Sequence, residues 1–217
     1  GFDEEKLRSA ELGFKGELLN RMLRINGAIF YSKFKDYQFN FQIPGTIQGS
    51  RVFNIDEGVL SGFEMDLMVK PTAGLYMQLS YAYLHSDLND VVNPVSGEKE
   101  SFTFANAPEH TYSFVLDYSW LPTSFGRFNT NVSYNFVDDR QPENENLYRD
   151  SYDLINSRFA LSDIEALQGQ WEVAAWVKNL MDNNYVSFAL DNLPQARRAV
   201  LWGDGRTYGV DVTYRYF

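Results

Sequence analysis

Residues 110–120 read HTYSFVLDYSW, and residues 128–136 read FNTNVSYNF. In the first stretch Tyr112, Phe114, Leu116, Tyr118 and Trp120 alternate with Thr111, Ser113, Val115, Asp117 and Ser119. In the second, Phe128, Val132, Tyr134 and Phe136 alternate with Asn129, Asn131, Ser133 and Asn135. A helix brings residues three and four apart to one face, whereas a strand brings every second residue there. Strict alternation over ten positions therefore predicts two neighbouring β-strands, each with one apolar and one polar face.

The same period extends outward in both directions. Leu75, Met77, Leu79, Tyr81 and Tyr83 alternate with polar or small residues, as do Phe63, Met65, Leu67 and Val69. Towards the end of the chain Trp171, Val173, Ala175 and Val177 repeat the pattern, followed by Tyr208, Val210, Val212, Tyr214 and Tyr216. Weaker alternation over residues 10–16, 23–34 and 152–162 brings the expectation to about nine strands and no helix.

The connections separate a two-layer sandwich from a membrane barrel. Short turns near 18–21, 71–74, 122–126 and 163–168 alternate with long stretches near 39–50, 86–108, 138–150 and 183–205. Short turns on one side and long loops on the other mark an up-and-down barrel of the outer membrane, and a Greek-key sandwich has no reason to keep that rhythm. With the long loops outside, the last strand runs inward and Phe217 lies on the periplasmic side.

Composition agrees. Aromatics make up 16% of the 217 residues, yet no apolar run approaches the roughly 20 residues of a membrane helix. A barrel strand needs only about 9–11 tilted residues, diluted by polar inward positions. The net charge of −10 argues against a nucleic-acid partner, whose phosphates require a basic footprint. Cysteine is absent, which removes disulfides, thiol catalysis and cysteine metal ligation. Residues 1–20 hold no basic segment followed by an apolar one, so an export signal is expected upstream of Gly1.

Four stretches resemble the C-terminal barrel of the TonB-dependent receptors. They are Glu11 to Gly16 (ELGFKG), Asn54 through Gly58 to Gly62-Phe63-Glu64, Val177 to Tyr185 (VKNLMDNNY), and Arg206 to Val210 (RTYGV). The resemblance implies an all-β, antiparallel up-and-down transmembrane barrel of roughly 22 strands, of which residues 1–217 supply the last nine. It places the plug domain and the earlier strands upstream. It also implies active uptake of a scarce substrate, a ferric siderophore first, then cobalamin, haem or oligosaccharide. The implied partners are the TonB complex through that plug, outer-membrane lipid and lipopolysaccharide, the barrel assembly machinery and a small extracellular substrate. No cofactor and no enzymatic activity are expected. Family members usually end on an aromatic residue in phase with the lipid face. Here Tyr216 holds that phase and Phe217 follows one position later, and the pair forms the expected assembly signal.

Individual residues take roles from this scheme. Tyr112, Phe114, Leu116, Tyr118, Val132, Tyr134, Phe136, Val210 and Val212 are expected to face lipid. Tyr83, Trp120, Trp171 and Tyr214 are expected in the interfacial girdles. Glu64, Asp66, Lys178 and Asp211 fall on the inward face. In the last long stretch Phe188, Arg197, Arg198 and Trp202 suit an anionic chelate through paired hydrogen bonds and stacking. His85 and His110 flank one long loop as rim residues. Ser113 lies an odd number of positions from His110, on the opposite face of a strand, so the two do not form a lipase-type pair. Two other readings are a passive porin, which needs a complete even set of strands, and a soluble carbohydrate-binding or adhesin module, which needs no detergent.

Overall fold

The structure is a computed structural model that describes residues 2–42, 50–93, 97–140, 149–192 and 197–216. These residues form twelve strands and no helix: β1 (Lys6–Leu18), β2 (Leu23–Gln42), β3 (Ser50–Thr72), β4 (Leu75–Val92), β5 (Lys99–Phe102), β6 (His110–Ser119), β7 (Arg127–Val137), β8 (Tyr152–Ala166), β9 (Gly169–Lys178), β10 (Val186–Asn192), β11 (Arg197–Trp202) and β12 (Thr207–Tyr216). One antiparallel sheet runs in the order β1, β2, β3, β4, β6, β7, β8, β9, β12, with β5 paired to the far end of β4. Strands β10 and β11 form a separate hairpin. The expected nine strands are the nine of the main path.

Short connections gather at one end of the sheet. Leu19, Asn20 and Arg21 all adopt left-handed backbone between β1 and β2, at φ 51°, 54° and 67°. Leu167 and Gln168 do the same between β8 and β9, which is the two-residue turn whose twist matches the flanking strands. That link is tighter than the expected 163–168. Asp163 lies inside β8 as an irregularity with φ 56°, where the register with β9 shifts.

The long connections carry more structure than alternation alone reveals. β2 continues to Gln42 and β4 to Val92, β5 lies within the stretch expected as a loop over 86–108, and the β10–β11 hairpin occupies much of 183–205. The cause in β2 is local. Asp36 takes φ 56°, and Phe34 and Tyr37, an odd number of positions apart, then pack ring to ring at 5.5 Å. The left-handed residue shifts the phase by one and hides the alternation beyond it.

That shift builds a small core. Phe41, Ile55, Leu88, Val91 and Phe104 are buried, ringed by Phe34, Tyr37, Phe39, Phe53 and Phe102. The motif residues Asn54, Gly58 and Gly62 serve this end. The Asn54 amide donates to the carbonyls of Asp36 and, at 3.0 Å, of Asp3, and its oxygen accepts from the Asp3 amide at 2.6 Å. A Cβ on Gly58 would meet Leu88 at 2.6 Å, and one on Gly62 would meet the Tyr83 carbonyl oxygen at 2.0 Å.

Gly62→Val is expected to cost about 3 kcal/mol, the upper range for overpacking, because the obstacle is backbone. Urea unfolding of the full-length protein in lipid vesicles measures it, and an unchanged midpoint contradicts the packing. Asn54→Ala is expected to cost about 1 kcal/mol, since the three bonds lost are exposed or part-buried. Amide exchange should accelerate around Asp36 and Ile55 while β6 and β7 stay protected.

Candidate functional site

The register converts alternation into two continuous faces. Leu18, Leu23, Val69, Met77, Leu116, Val132, Ser157, Val177 and Tyr208 stand abreast across all nine strands. The row above holds Ile25, Leu67, Leu79, Phe114, Tyr134 and Ile155, and the row below holds Leu75, Tyr118, Thr130, Phe159, Ala175 and Val210. Every substantial contact between strands is between hydrogen-bonded neighbours, so no second layer covers this face among the described residues. Phe114, Leu116 and Tyr134 are half-buried by their own sheet, and Phe159, Val173, Val210 and Val212 are exposed.

Aromatic residues collect at both ends of that face. At the long-connection end Tyr83 stands beside His110, whose Nδ1 lies 2.9 Å from the Tyr81 hydroxyl, and Tyr112 stacks on Phe136 at 4.5 Å. At the short-turn end Tyr118 packs against Trp120 at 4.9 Å and Trp171 against Tyr214 at 4.5 Å. Their polar tips are satisfied: the Trp120 indole donates to Thr130, the Trp171 indole to the Ala166 carbonyl, and the Tyr214 hydroxyl to the Leu167 carbonyl. Tyr216 lies in the same phase, opposite Gly169, and Phe217 lies outside the described residues. His110 is on the apolar side and Ser113 on the other, as a strand requires. His85 is exposed, two positions beyond Tyr83 on the His110 side, and no group of metal-ligating residues occurs among the described residues.

The opposite face is a polar wall tied by cross-strand bonds. Ser80 donates to Asp66 at 2.6 Å, Asn131 to Asp117 at 2.6 Å, Asn129 to Ser162 at 2.8 Å, and Arg158 to Glu172 at 2.6 Å. A groove of about 320 Å³ runs over Glu64, Asp66, Ser80, Thr111, Ser113 and Asn135. Lys178 also lies on this face, with its ammonium 5.6 Å from the Trp176 ring centre. Glu64 and Asp211 project there with no ion pair among the described residues.

Two polar knots close the long-connection end. Asn179 is 4% exposed and left-handed at φ 49°. Its amide group donates to the carbonyls of Asn183 at 2.9 Å and Asp204 at 3.1 Å, its oxygen accepts from the Asn183 backbone, and its own N–H donates to Asn156. Asp182 accepts from the Arg206 backbone at 2.8 Å, and Tyr185 stacks on Tyr152 at 4.6 Å. The VKNLMDNNY and RTYGV stretches thus meet as one latch between the end of β9 and the start of β12.

In the second knot Arg140 and Arg149 pair as an isolated bridge beyond β7 and β8. Arg149 is 7% exposed and donates to the Asn106 side chain, while Arg140 lies over the Tyr152 ring at 5.4 Å. Burial, with Arg140 alongside, lowers the Arg149 pKa, and burial beside Asp138 raises that of Asp139. The residues between these arginines lie outside the description. Alternation marks 138–150 only as a long connection, and the buried Arg149 shows where part of it is anchored.

The residues expected to touch cargo lie on the separate hairpin. Phe188 is opposite Leu201 and Val186 opposite Trp202, with Phe188, Leu201 and Trp202 exposed. The backbones of Arg197 and Arg198 pair with Asn192 and Asp191, and their side chains lie outside the described residues.

The family described as TonB dependent receptor-like, beta-barrel matches residues 1–180. Among solved structures, the chain is similar to the ferric yersiniabactin uptake receptor FyuA from Yersinia pestis, at 19% identity and TM-score 0.72, over 97% of this chain and 30% of that one. It is similar to the siderophore receptor PiuA from Acinetobacter baumannii at 19% identity and TM-score 0.72, over 98% and 29%. It is also similar to BauA, the ferric preacinetobactin receptor from Acinetobacter baumannii, at 16% identity and TM-score 0.67, over 97% and 29%. The chain therefore spans less than a third of the length of these structures. Matched in family over residues 1–180 and in fold over nearly its whole length, the chain belongs to the TonB-dependent receptor β-barrel family.

Proposed function

We propose that this chain is part of the wall of a Gram-negative outer-membrane receptor, and that the whole protein takes up a ferric siderophore with energy delivered through TonB. One observation carries the membrane reading: an apolar face crosses nine strands with no layer over it among the described residues, while the other face is polar and hydrogen-bonded. In water such a face has no cover, whereas in a bilayer hydrocarbon covers it. From His110 to Trp120 is ten residue steps. At about 3.4 Å per step and a tilt near 40°, these steps span about 26 Å, close to the roughly 25 Å apolar band of such barrels.

The edges of β1 and β12 support a larger closed barrel, since each unpaired backbone group in lipid costs several kcal/mol. The polar wall, with Glu64, Asp66 and Asp211, would then face the interior and a plug. No covalent chemistry is assigned to these residues. The siderophore reading draws on the ligands for which the similar receptors are named, and on the arginine and aromatic content of the β10–β11 hairpin.

Leu116→Arg is expected to destabilise the full-length protein by about 2–4 kcal/mol in lipid vesicles. Val115→Arg, on the polar side, should cost less than half as much. Equal costs contradict the membrane orientation. Uptake of the iron-loaded siderophore should require an intact TonB system, and Arg197→Ala/Arg198→Ala should reduce it about tenfold at unchanged receptor abundance. Uptake that persists without TonB rules out active transport, and uptake unaffected by the double substitution removes those arginines from the cargo path.

A further inference from the structure

Leucine stands where a reversal in water would carry glycine or asparagine. Leu19 opens the β1–β2 reversal at φ 51° and Leu167 opens the β8–β9 reversal at φ 55°. A left-handed backbone crowds any Cβ, which is why glycine, asparagine and aspartate dominate such turns. Both leucines are exposed, so contacts among the described residues offset little of that cost. The β6–β7 reversal makes the same choice, with Leu121 at 85% exposed and Phe125 at 56%. Pro122 follows Leu121 and has no N–H for water to bind. Three of the four short reversals therefore end in bare apolar tips.

These tips continue the apolar face. Phe125 packs edge-on against Phe128 at 6.0 Å, and Phe128 stands opposite Leu161 in the phase of that face. Trp171 and Tyr214, on the same face, donate to the carbonyls of Ala166 and Leu167 and so hold the β8–β9 reversal against it. The row through Leu18, Leu116 and Ser157 lies one residue from Leu19, five from Leu121 and ten from Leu167. Tilted strands need such a stagger for their reversals to reach one height. The nearby cations are already matched: Arg21 and Arg24 reach Glu17 at 3.5 Å and 2.6 Å, and Arg127 reaches Asp163 at 3.4 Å. Nothing at the tips calls for a charged partner.

We propose that Leu19, Leu121, Phe125 and Leu167 insert among the acyl chains of the periplasmic leaflet. The short reversals then lie at the level of the phospholipid headgroups, not in the water beyond them, and set the depth of the barrel. This rests on the membrane reading above, with the short reversals on the periplasmic side. Acyl chains suit separate tips on three reversals, because they cover each one without a matching surface. The contact also supplies what the left-handed leucines lack within the chain.

The test uses the full-length receptor in nanodiscs of palmitoyl-oleoyl phosphatidylcholine, where both ends of the barrel meet solvent. Hydroxyl-radical footprinting of the wild type compares like with like across the two ends. Leu121 and Leu167, at 85% and 80% exposed, are set against Leu201 at 63%, and Phe125 at 56% against Phe188 at 49%; both references lie on the β10–β11 hairpin. By exposure alone the tips react faster than the hairpin residues. With acyl chains over them they should react at least about threefold more slowly. A bimane label on Leu121→Cys or Leu167→Cys then identifies the cover. A nitroxide near the headgroup end of the lipid chain should quench it at least about threefold more than the same label on Ser187→Cys. Tips that react as fast as their hairpin counterparts overturn the proposal. So does slow reaction without nitroxide quenching, which means that protein covers them. The footprint needs no substitution, so it decides even where a labelled variant fails to fold. Leu116→Cys, in the middle of the band, should be quenched by a nitroxide at the far end of the lipid chain. Failure at the tips alone removes this inference, whereas failure at Leu116 as well removes the membrane reading with it.

Discussion

Everything in this sheet depends on an unslipped antiparallel register. Because successive side chains point to opposite faces, a slip of one residue exchanges the apolar and polar sets along a whole strand. The pairings β1–β2, β4–β6, β6–β7 and β9–β12 each run without a shift from end to end. The shifts that do occur lie near strand ends, at Val69/Thr72, Leu161/Ile164 and Leu88/Val91. Irregularity is thus confined to the rims, where water can satisfy a displaced backbone group.

The rims do different work from the band between them. At the short-turn end the β1–β2 and β8–β9 reversals run through consecutive left-handed residues, supported by exposed ion pairs and by the bonds that join Ser119, Asn129 and Ser162. At the other end the chain invests in polar hubs. Asn54 joins the start of the chain to the kink at Asp36, and Asn179 joins the end of β9 to the approach of β12. Each asparagine uses both its donor and its acceptor, a demand an aspartate or leucine of similar size could not meet.

The main sheet was legible because Tyr112, Phe114 and Leu116 alternate cleanly with Ser113 and Val115, and the same holds on most neighbouring strands. Legibility failed where a single left-handed residue changed the phase. Asp36 concealed the outer half of β2, and Asp163 concealed the last turn of β8. Strand β5 is only four residues long and rests on Leu88 and Val91, so its signal is tertiary. The family-like stretches were visible as strings, but the roles of Asn54 and Asn179 emerge only when Asp3, Asp36, Asn183 and Asp204 are brought around them. Arg149 had no local signal at all, since its burial depends on Asn106, far away in sequence.

The unequal connections also impose an order on assembly. Four strand pairs, β1–β2, β3–β4, β6–β7 and β8–β9, are joined by the tight reversals, so each encounters its partner at small entropic cost. Pairing across the longer links, as between β4 and β6 or β9 and β12, requires ends that start far apart to meet. The chain is therefore suited to delivery as preformed hairpins that zip together sideways. β12 differs in this scheme: its partner among the described residues is β9, reached across the longest link, so it pairs only once β9 presents an edge.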